Sequence, residues 1–211
     1  MKTRSLICRI LCAALLLFTA AEATADKKNK SNEVTGTDIH SMTKAENIAT
    51  PAVPEKQHKP IADYMLREAQ NILKQGYKVE TERHGEVVVV TIPASDLFVP
   101  NSTEIEVSGQ KLIEPFSAYL KTPNRFKVIL AMHSDDTGSR SYLEQLTTAR
   151  MQAVKTFLEK RSANPGQIVG YAVADDEPVC ANSNIANRAR NRRLEIYIIP
   201  DEELINQVKK R

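Results

Sequence analysis

Two short runs of this 211-residue chain are apolar at nearly every position, and they restrict the folds open to it. Residues 86–92 (EVVVVTI) form a β-branched run, and residues 126–132 (FKVILAM) form a second. Apolar runs of this length without polar alternation are typical of strands that are buried on both faces. Both segments should therefore be inner strands of a sheet that other elements cover.

Helical periodicity predicts three helices around these strands. A leading helix covers residues 61–76, an amphipathic helix covers residues 112–120, and a long helix extends from Ser141 to about Arg161. The long helix should begin with a capping box, in which the side chains of Ser141 and Glu144 bond the backbone of the first turn.

Two further strands complete the predicted sheet. Residues 168–174 form the third strand, and residues 193–199 (RLEIYII) form a fourth, whose alternation predicts one solvated face. The order is β-α-β-α-β-β with a leading helix, which implies an α/β fold with helices packed on a mixed sheet. We therefore predict a domain over residues 86–200, a leading helix and connector at 61–85, and a tail at 201–211 with the pattern of a short helix.

The first 25 residues have the pattern of a secretory signal peptide. Lys2 and Arg4 precede an apolar run, and small residues before Asp26 offer a cleavage site. The alternatives are an uncleaved anchor, as in a stator-like protein, and a lipoprotein. The apolar run is shorter than a membrane span needs, and neither Cys8 nor Cys12 follows a small residue. We therefore expect export to the periplasm or cell envelope by a cleaved signal peptide.

Residues 26–60 are polar, rich in Lys, Asn, Thr and Glu, and nearly free of aromatic side chains. Such a segment buries too little apolar surface to offset its ordering entropy, so we predict a flexible linker. Residues 26–85 would then be available to dock on an outer-membrane protein partner. Cleavage of the signal would leave Cys180 alone, without an intrachain disulfide or a cysteine-based metal site.

The long helix carries a charge in its apolar stripe. Leu146 and Ala153 belong to that stripe, and Arg150 lies in its middle. Because an unpaired buried guanidinium costs several kcal/mol, Arg150 needs a carboxylate, backbone carbonyls or a ligand. Asp135 and Asp136, at the end of the second strand, are the nearest acids in sequence. On these residues alone three interpretations stay open: an internal salt bridge, a bipolar binding site, or an arginine that snorkels to the rim.

Four motifs, in the correct order, resemble those of the OmpA-like family. The spacing from Asp135 to Arg150 agrees with the family pattern of G-H-T-D-x-x-G followed by L-S-x-x-R. A turn leaving the first strand and an R-x-x-N-R-R-V-E-I strand complete the set. The matching segments are 97–105 (LFVPNSTEI), 132–138 (MHSDDTG), 146–150 (LTTAR) and 188–196 (RARNRRLEI).

This resemblance implies a non-enzymatic periplasmic domain that binds peptidoglycan non-covalently through the diaminopimelate residue of the stem peptide, without a cofactor. Asp135 and Arg150 match the two charged contacts, since a carboxylate and a guanidinium complement the zwitterionic end of diaminopimelate. The alternative is an envelope adaptor, whose pocket is closed by an Asp135–Arg150 salt bridge and which acts through protein partners. Secondary contacts are expected from Asn101, Asp136, Thr137, Gly138 and Arg193.

Several departures from the family pattern affect the pocket more than the fold. Met132 replaces the usual Gly, Asn187 replaces the Gly before Arg188, and Ser134 replaces Thr, which is a mild change. Leu143 stands where an Asn is usual, so one polar pocket group is lost. We expect weaker affinity or a preference for a variant muropeptide.

Other functional classes fit the sequence less well. Four arginines within residues 188–193 suggest a nucleic-acid patch, but the chain without its signal is nearly neutral and has few aromatic residues for base stacking. His133, Ser134 and Asp135 are hydrolase residue types, yet neighbours on a strand point to opposite faces and cannot form a triad. The four histidines have no metal-ligand spacing. We therefore expect no nucleic acid, no metal and no enzymatic activity.

Overall fold

The computed structural model describes residues 38–209, in which five strands form one mixed sheet. The predicted signal peptide and residues 26–37 lie outside the described residues. The strand order is β1-β2-β5-β3-β4, and every neighbouring pair is antiparallel except β3 and β4. The strands are β1 Lys78–Glu82, β2 Val87–Pro93, β3 Phe126–His133, β4 Ile168–Ala174 and β5 Arg193–Pro200.

Helices of one to five turns connect the strands, and none in the described part of the chain is long and apolar enough to cross a membrane. Short 3₁₀ segments lie at Glu55–Gln57, Arg83–Gly85, Glu114–Leu120 and Pro165–Gln167. The α-helices are α1 Lys44–Ala49, α2 His58–Lys74, α3 Ala94–Leu97, α4 Val107–Ile113, α5 Arg140–Glu159, α6 Ile185–Asn191 and α7 Glu202–Lys209.

The main core lies between the helices and one face of the sheet. Alternate residues of the three inner strands, such as Val90, Leu130 and Ile196, are fully buried there. Their period of two matches the period of a strand, so each inner strand presents one set of apolar side chains to this core. The helices bury against them Ile61, Met65, Ile113, Val154, Leu158 and Leu204.

The opposite face of the sheet is covered by residues 38–57. The fully buried amide of Asn47 donates to the Tyr171 hydroxyl and the Ile39 carbonyl, each at 2.6 Å, and accepts from Lys127 Nζ at 3.1 Å. Arg83 donates to two further backbone carbonyls of the segment. Over residues 38–60 the structure therefore differs from the predicted flexible linker, because the side chains of Tyr171 in β4 and Arg83 after β1 bond the backbone of a segment with little apolar surface. Docking of residues 26–85 on an outer-membrane partner stays a prediction.

The predicted helices are present with shifted ends. The N-cap of α5 is Ser139, whose hydroxyl accepts from the Tyr142 N–H at 3.3 Å, so the predicted capping box at Ser141 is wrong. The helix predicted at 112–120 is divided. It continues from α4 as a 3₁₀ segment at Glu114–Leu120, and Pro115 near the start of that segment cannot donate an intrahelical hydrogen bond.

The sheet differs from the prediction at two strands. β5 is buried on both faces rather than solvated on one, because residues 38–57 cover the second face. β1 was not predicted, since its sequence (KVETE) is polar and almost entirely exposed. Such an edge strand gives no apolar pattern, although its charged side chains are typical of edges that must resist pairing with another chain.

The buried Lys127 should make stability depend on pH. Burial lowers the pKa of Lys127 from 10.5 to about 8, although the charge of Asp201 acts in the opposite direction. The folded protein therefore loses this proton at lower pH than the unfolded chain, and stability should rise as pH increases between these two values. We expect the free energy of unfolding in urea to increase by about 2 kcal/mol from about pH 8 to 10. The Lys127→Met variant should lack this increase, and an unchanged slope in that variant would contradict the assignment.

Candidate functional site

A cavity of about 560 Å³ opens beside the end of β3, and both predicted charged contacts line it. Asp135 enters from the turn that follows β3, and Arg150 enters from the middle of α5. The other walls are α3 with the loop after it, the first turns of α5, and Arg192 at the end of α6. The structure thus brings together residues that are separated by almost a hundred positions.

The turn between β3 and α5 positions Asp135. The Ser134 N–H donates to the Ala174 carbonyl at 2.7 Å, which extends the pairing of β3 with β4 by one residue. The Thr137 N–H then donates to Asp135 Oδ1 at 2.9 Å and closes a tight turn. Gly138 has φ +134°, and a Cβ there would lie 2.9 Å from the Tyr142 ring. Glycine is favoured at this position because other residues rarely adopt this backbone conformation.

The Asp135 carboxylate is buried and paired with Arg192. Its Oδ2 accepts from Arg192 Nη1, and the side chain of Arg192 is 40% exposed while that of Asp135 is 6% exposed. Burial alone would raise the pKa of Asp135, but the Thr137 N–H and the Arg192 guanidinium outweigh it and hold the pKa below its usual range. Asp135 is therefore an anion at neutral pH.

Arg150 is half-buried, and no anionic side chain pairs with it in the described part of the chain. Its guanidinium lies 4.9 Å from the centre of the Phe98 ring, and its Nε donates to the Ser102 carbonyl at 2.9 Å. Within residues 38–209 no carboxylate lies within 4 Å of it, so the Asp135–Arg150 salt bridge of the adaptor interpretation is not found there. Burial lowers the pKa of Arg150 and the charge of Arg192 acts in the same direction, yet a guanidinium stays protonated.

The loop after α3 forms the wall opposite α5. The Val99 N–H donates to the Glu104 carbonyl at 3.1 Å, and Phe98 pairs with Ile105 in an isolated bridge. At its tip Asn101 adopts φ +55°, a left-handed conformation that asparagine tolerates better than most residues. This narrow loop holds the Phe98 ring against Arg150.

The structure places two of the five residues predicted as secondary contacts in the cavity, and three elsewhere. Asn101 and Thr137 line the cavity. Asp136 points away and pairs with Arg188 at 3.1 Å, and Gly138 serves the turn without lining the cavity. Arg193 lies on the opposite face of the sheet, where its Nε contacts Glu195 Oε1 at 2.7 Å and where it lines a different cavity.

Arg192 is the charged residue that was not predicted. The family motif contains two adjacent arginines, and residues next to each other at the start of a strand face opposite ways. The alternation of β5 could have distinguished them, because Leu194 faces the helices and Arg193 therefore does not.

The hydrolase alternative has no support in the geometry. His133 Nε2 contacts Glu195 Oε2 at 3.2 Å on the second face of the sheet, whereas Ser134 and Asp135 line the cavity. Ser134 therefore has no adjacent general base. The described residues also contain no cluster of His, Cys, Asp or Glu that could hold a metal ion.

Sequence comparisons agree with this architecture. Residues 97–192 match the model of the OmpA family. The chain is 24% identical over 110 residues to outer membrane protein A of Bordetella avium, which covers 52% of this chain and 57% of that protein. It is 25% identical over 99 residues to a peptidoglycan-associated lipoprotein of Pseudomonas putida, covering 47% of this chain and 59% of that protein. The chain thus spans less than two thirds of the curated relatives it matches.

Solved structures share the fold. The cell wall anchor of the T6SS from Pseudomonas aeruginosa is 29% identical, with a TM-score of 0.55, and the alignment covers 65% of this chain and 97% of that one. A MotB-like protein from Desulfovibrio vulgaris has the same fold at 15% identity and a TM-score of 0.57, covering 69% and 95%. Outer membrane protein A, the peptidoglycan-associated lipoprotein and the cell wall anchor are not named as enzymes, in agreement with the non-enzymatic protein that the sequence predicts. Together, the sequence match over residues 97–192 and the shared fold show that this part of the chain is similar to the OmpA family.

Proposed function

We propose that this protein binds peptidoglycan non-covalently through the diaminopimelate residue of the stem peptide and so links the cell envelope to the wall. The names of two relatives refer to the cell wall. One is a peptidoglycan-associated lipoprotein, and the other is a cell wall anchor whose alignment with this chain covers 97% of its structure. An envelope location follows from the same proposal, with outer membrane protein A as a further relative.

The observation that carries the proposal is the charge of Arg150, which no carboxylate of residues 38–209 neutralises. The Ser102 carbonyl and the Phe98 ring compensate only part of the desolvation of this guanidinium, because neither carries the negative charge that would balance it. Arg150 lines an open cavity of about 560 Å³, large enough for the end of a peptide side chain. A ligand carboxylate in that cavity would supply the missing anion through charge-assisted hydrogen bonds.

The Asp135 carboxylate supplies the opposite charge in the same cavity. A carboxylate has about four acceptor positions, and the contacts of Asp135 use one on each oxygen, from Thr137 and from Arg192. A ligand ammonium can take the remaining positions, and the half-exposed Arg192 has room to shift as it enters. The charges of the cavity are thus complementary to an ammonium and a carboxylate that are bonded to one carbon, as in diaminopimelate.

The adaptor alternative requires a pocket that is closed by its own charges. In the structure Asp135 pairs with Arg192 instead, and Arg150 is left facing the cavity. This arrangement favours a binding site over a closed one.

Removing either charged contact should abolish binding to the wall. We expect Asp135→Ala and Arg150→Ala each to lose co-sedimentation with purified diaminopimelate-type sacculi. Truncating one partner of a desolvated charge pair costs roughly 2–5 kcal/mol, whereas a site of millimolar to micromolar affinity provides only about 4–8 kcal/mol in total.

Asp136→Ala and Arg188→Ala are the matched controls. These two residues form an exposed ion pair next to the site, and neither lines the cavity. Both controls should sediment like the wild type, and circular dichroism should show that all four variants are folded. Wild-type binding by Asp135→Ala and Arg150→Ala would place the wall-binding surface elsewhere on the protein.

The affinity for different wall fragments should depend on whether the fragment carries the diaminopimelate carboxylate. Lysine at the same place in the stem peptide has the amine alone and would leave Arg150 beside an unbalanced positive charge. Amidation of the diaminopimelate carboxyl removes the charge that a bidentate guanidinium contact needs. In calorimetric titrations with matched muropeptides, we expect both changes to weaken binding at least tenfold, or about 1.4 kcal/mol. Equal affinities for the three fragments would mean that the glycan or the peptide backbone is recognised instead.

A further inference from the structure

Ser134 carries a buried hydroxyl that has no hydrogen-bond partner within the described part of the chain. The residue is 6% exposed, and its Oγ is buried without a donor or acceptor nearby. Ser134 also lines the cavity that contains Asp135 and Arg150. It continues the alternation of β3, in which Leu130 and Met132 face the helices, so its side chain lies on the same side of the sheet as the cavity.

An orphaned hydroxyl is uncommon in a folded protein, because burial removes its hydrogen bonds to water and nothing replaces them. The backbone at this position needs no serine: its N–H already pairs with the Ala174 carbonyl at 2.7 Å, whatever the side chain. Among residues 38–209 three other buried side-chain polar atoms lack partners, on Gln57, His133 and Gln167, but none of these residues lines this cavity. Among these four residues, Ser134 is thus the one that lines the proposed ligand cavity.

We infer that Ser134 is a third contact to the ligand and donates its hydroxyl hydrogen to the ligand carboxylate. This inference rests on the proposed function and adds a specificity-determining residue to the same site. The ligand ammonium has Asp135 as its acceptor. For the carboxylate, Arg192 is already paired with Asp135, and Arg150 already donates its Nε–H to the Ser102 carbonyl. A hydroxyl donor beside a partly satisfied carboxylate completes its hydrogen bonding.

The effect of Ser134→Ala on stability should differ according to whether Ser134 binds the ligand or stabilises the fold. If Ser134 served the fold, Ser134→Ala would destabilise the free protein. If it serves the ligand, the same change removes an unsatisfied buried hydroxyl, so the free protein should be equally stable or more stable, with weaker binding. Ser134→Thr keeps the hydroxyl and is the conservative control.

The test is calorimetric titration of the purified protein and its two variants with a diaminopimelate-type muropeptide and with the lysine-type fragment, alongside thermal unfolding without ligand. We expect Ser134→Ala to weaken diaminopimelate binding about tenfold, as for a hydrogen bond to a charged group. The same substitution should change the affinity for the lysine-type fragment, which lacks the carboxylate, by less than about twofold. The Ser134→Thr variant should keep most of the wild-type affinity for the diaminopimelate-type fragment.

The outcomes separate this inference from the function on which it rests. A wild-type protein that binds neither fragment overturns both. Wild-type binding that Ser134→Ala leaves unchanged overturns the inference about Ser134 and leaves the proposed function standing. An equal loss for both fragments, or a lower melting temperature that accompanies the loss of affinity, shows that Ser134 acts through the fold and also overturns the inference.

Discussion

The antiparallel register of β3 with β5 determines where the charges of the site meet. Met132 pairs with Leu194, so the end of β3 and the start of β5 lie side by side in the middle of the sheet. The residues just beyond those ends, Asp135 and Arg192, consequently form an ion pair. The turn after Asp135 sends α5 back over the sheet and brings Arg150 to the same cavity. A shift of one residue in this register would turn the apolar side chains of β5 to the wrong faces, so the core and the site depend on the same pairing.

The second face of the sheet is held by a different kind of contact. Besides a small apolar cluster, it carries polar side chains that satisfy one another: Glu195 accepts from Tyr197 at 2.7 Å, Arg193 at 2.7 Å and His133 at 3.2 Å. Burial would raise the pKa of Glu195, but these partners outweigh it and hold the pKa well below its usual range. Burial lowers the pKa of His133, which favours a neutral donor. Over this face residues 38–57 pack through Asn47, so the two faces differ in chemistry as well as in position.

The sequence predicts the inner strands well, and it correctly brings Asp135 and Arg150 to one cavity, for physical reasons. β2 and β3 are apolar at nearly every position, and the spacing from Asp135 to Arg150 is that of a strand end followed by a long helix. The edge strand β1 and the segment 38–57 could not be predicted in this way, since both are polar and are held by hydrogen bonds to distant residues. The apolar stripe of α5 was placed slightly out of phase: its buried residues are Leu143, Thr147, Val154 and Leu158, and Arg150 lies beside them at the cavity.

The central claim is that a zwitterionic wall fragment binds between Asp135 and Arg150, and amide chemical shifts of the isotope-labelled protein test it most directly. During titration with a diaminopimelate-type muropeptide, we expect the largest saturable shifts at the amides of the turn from Ser134 to Gly138 and of Asn101, and a shift of the Arg150 Nε–H signal as well. Amides beside the second cavity, such as those of Lys78 and Arg190, should stay unchanged. Saturable shifts that are confined to the second face of the sheet, or no shifts at millimolar fragment, would contradict it.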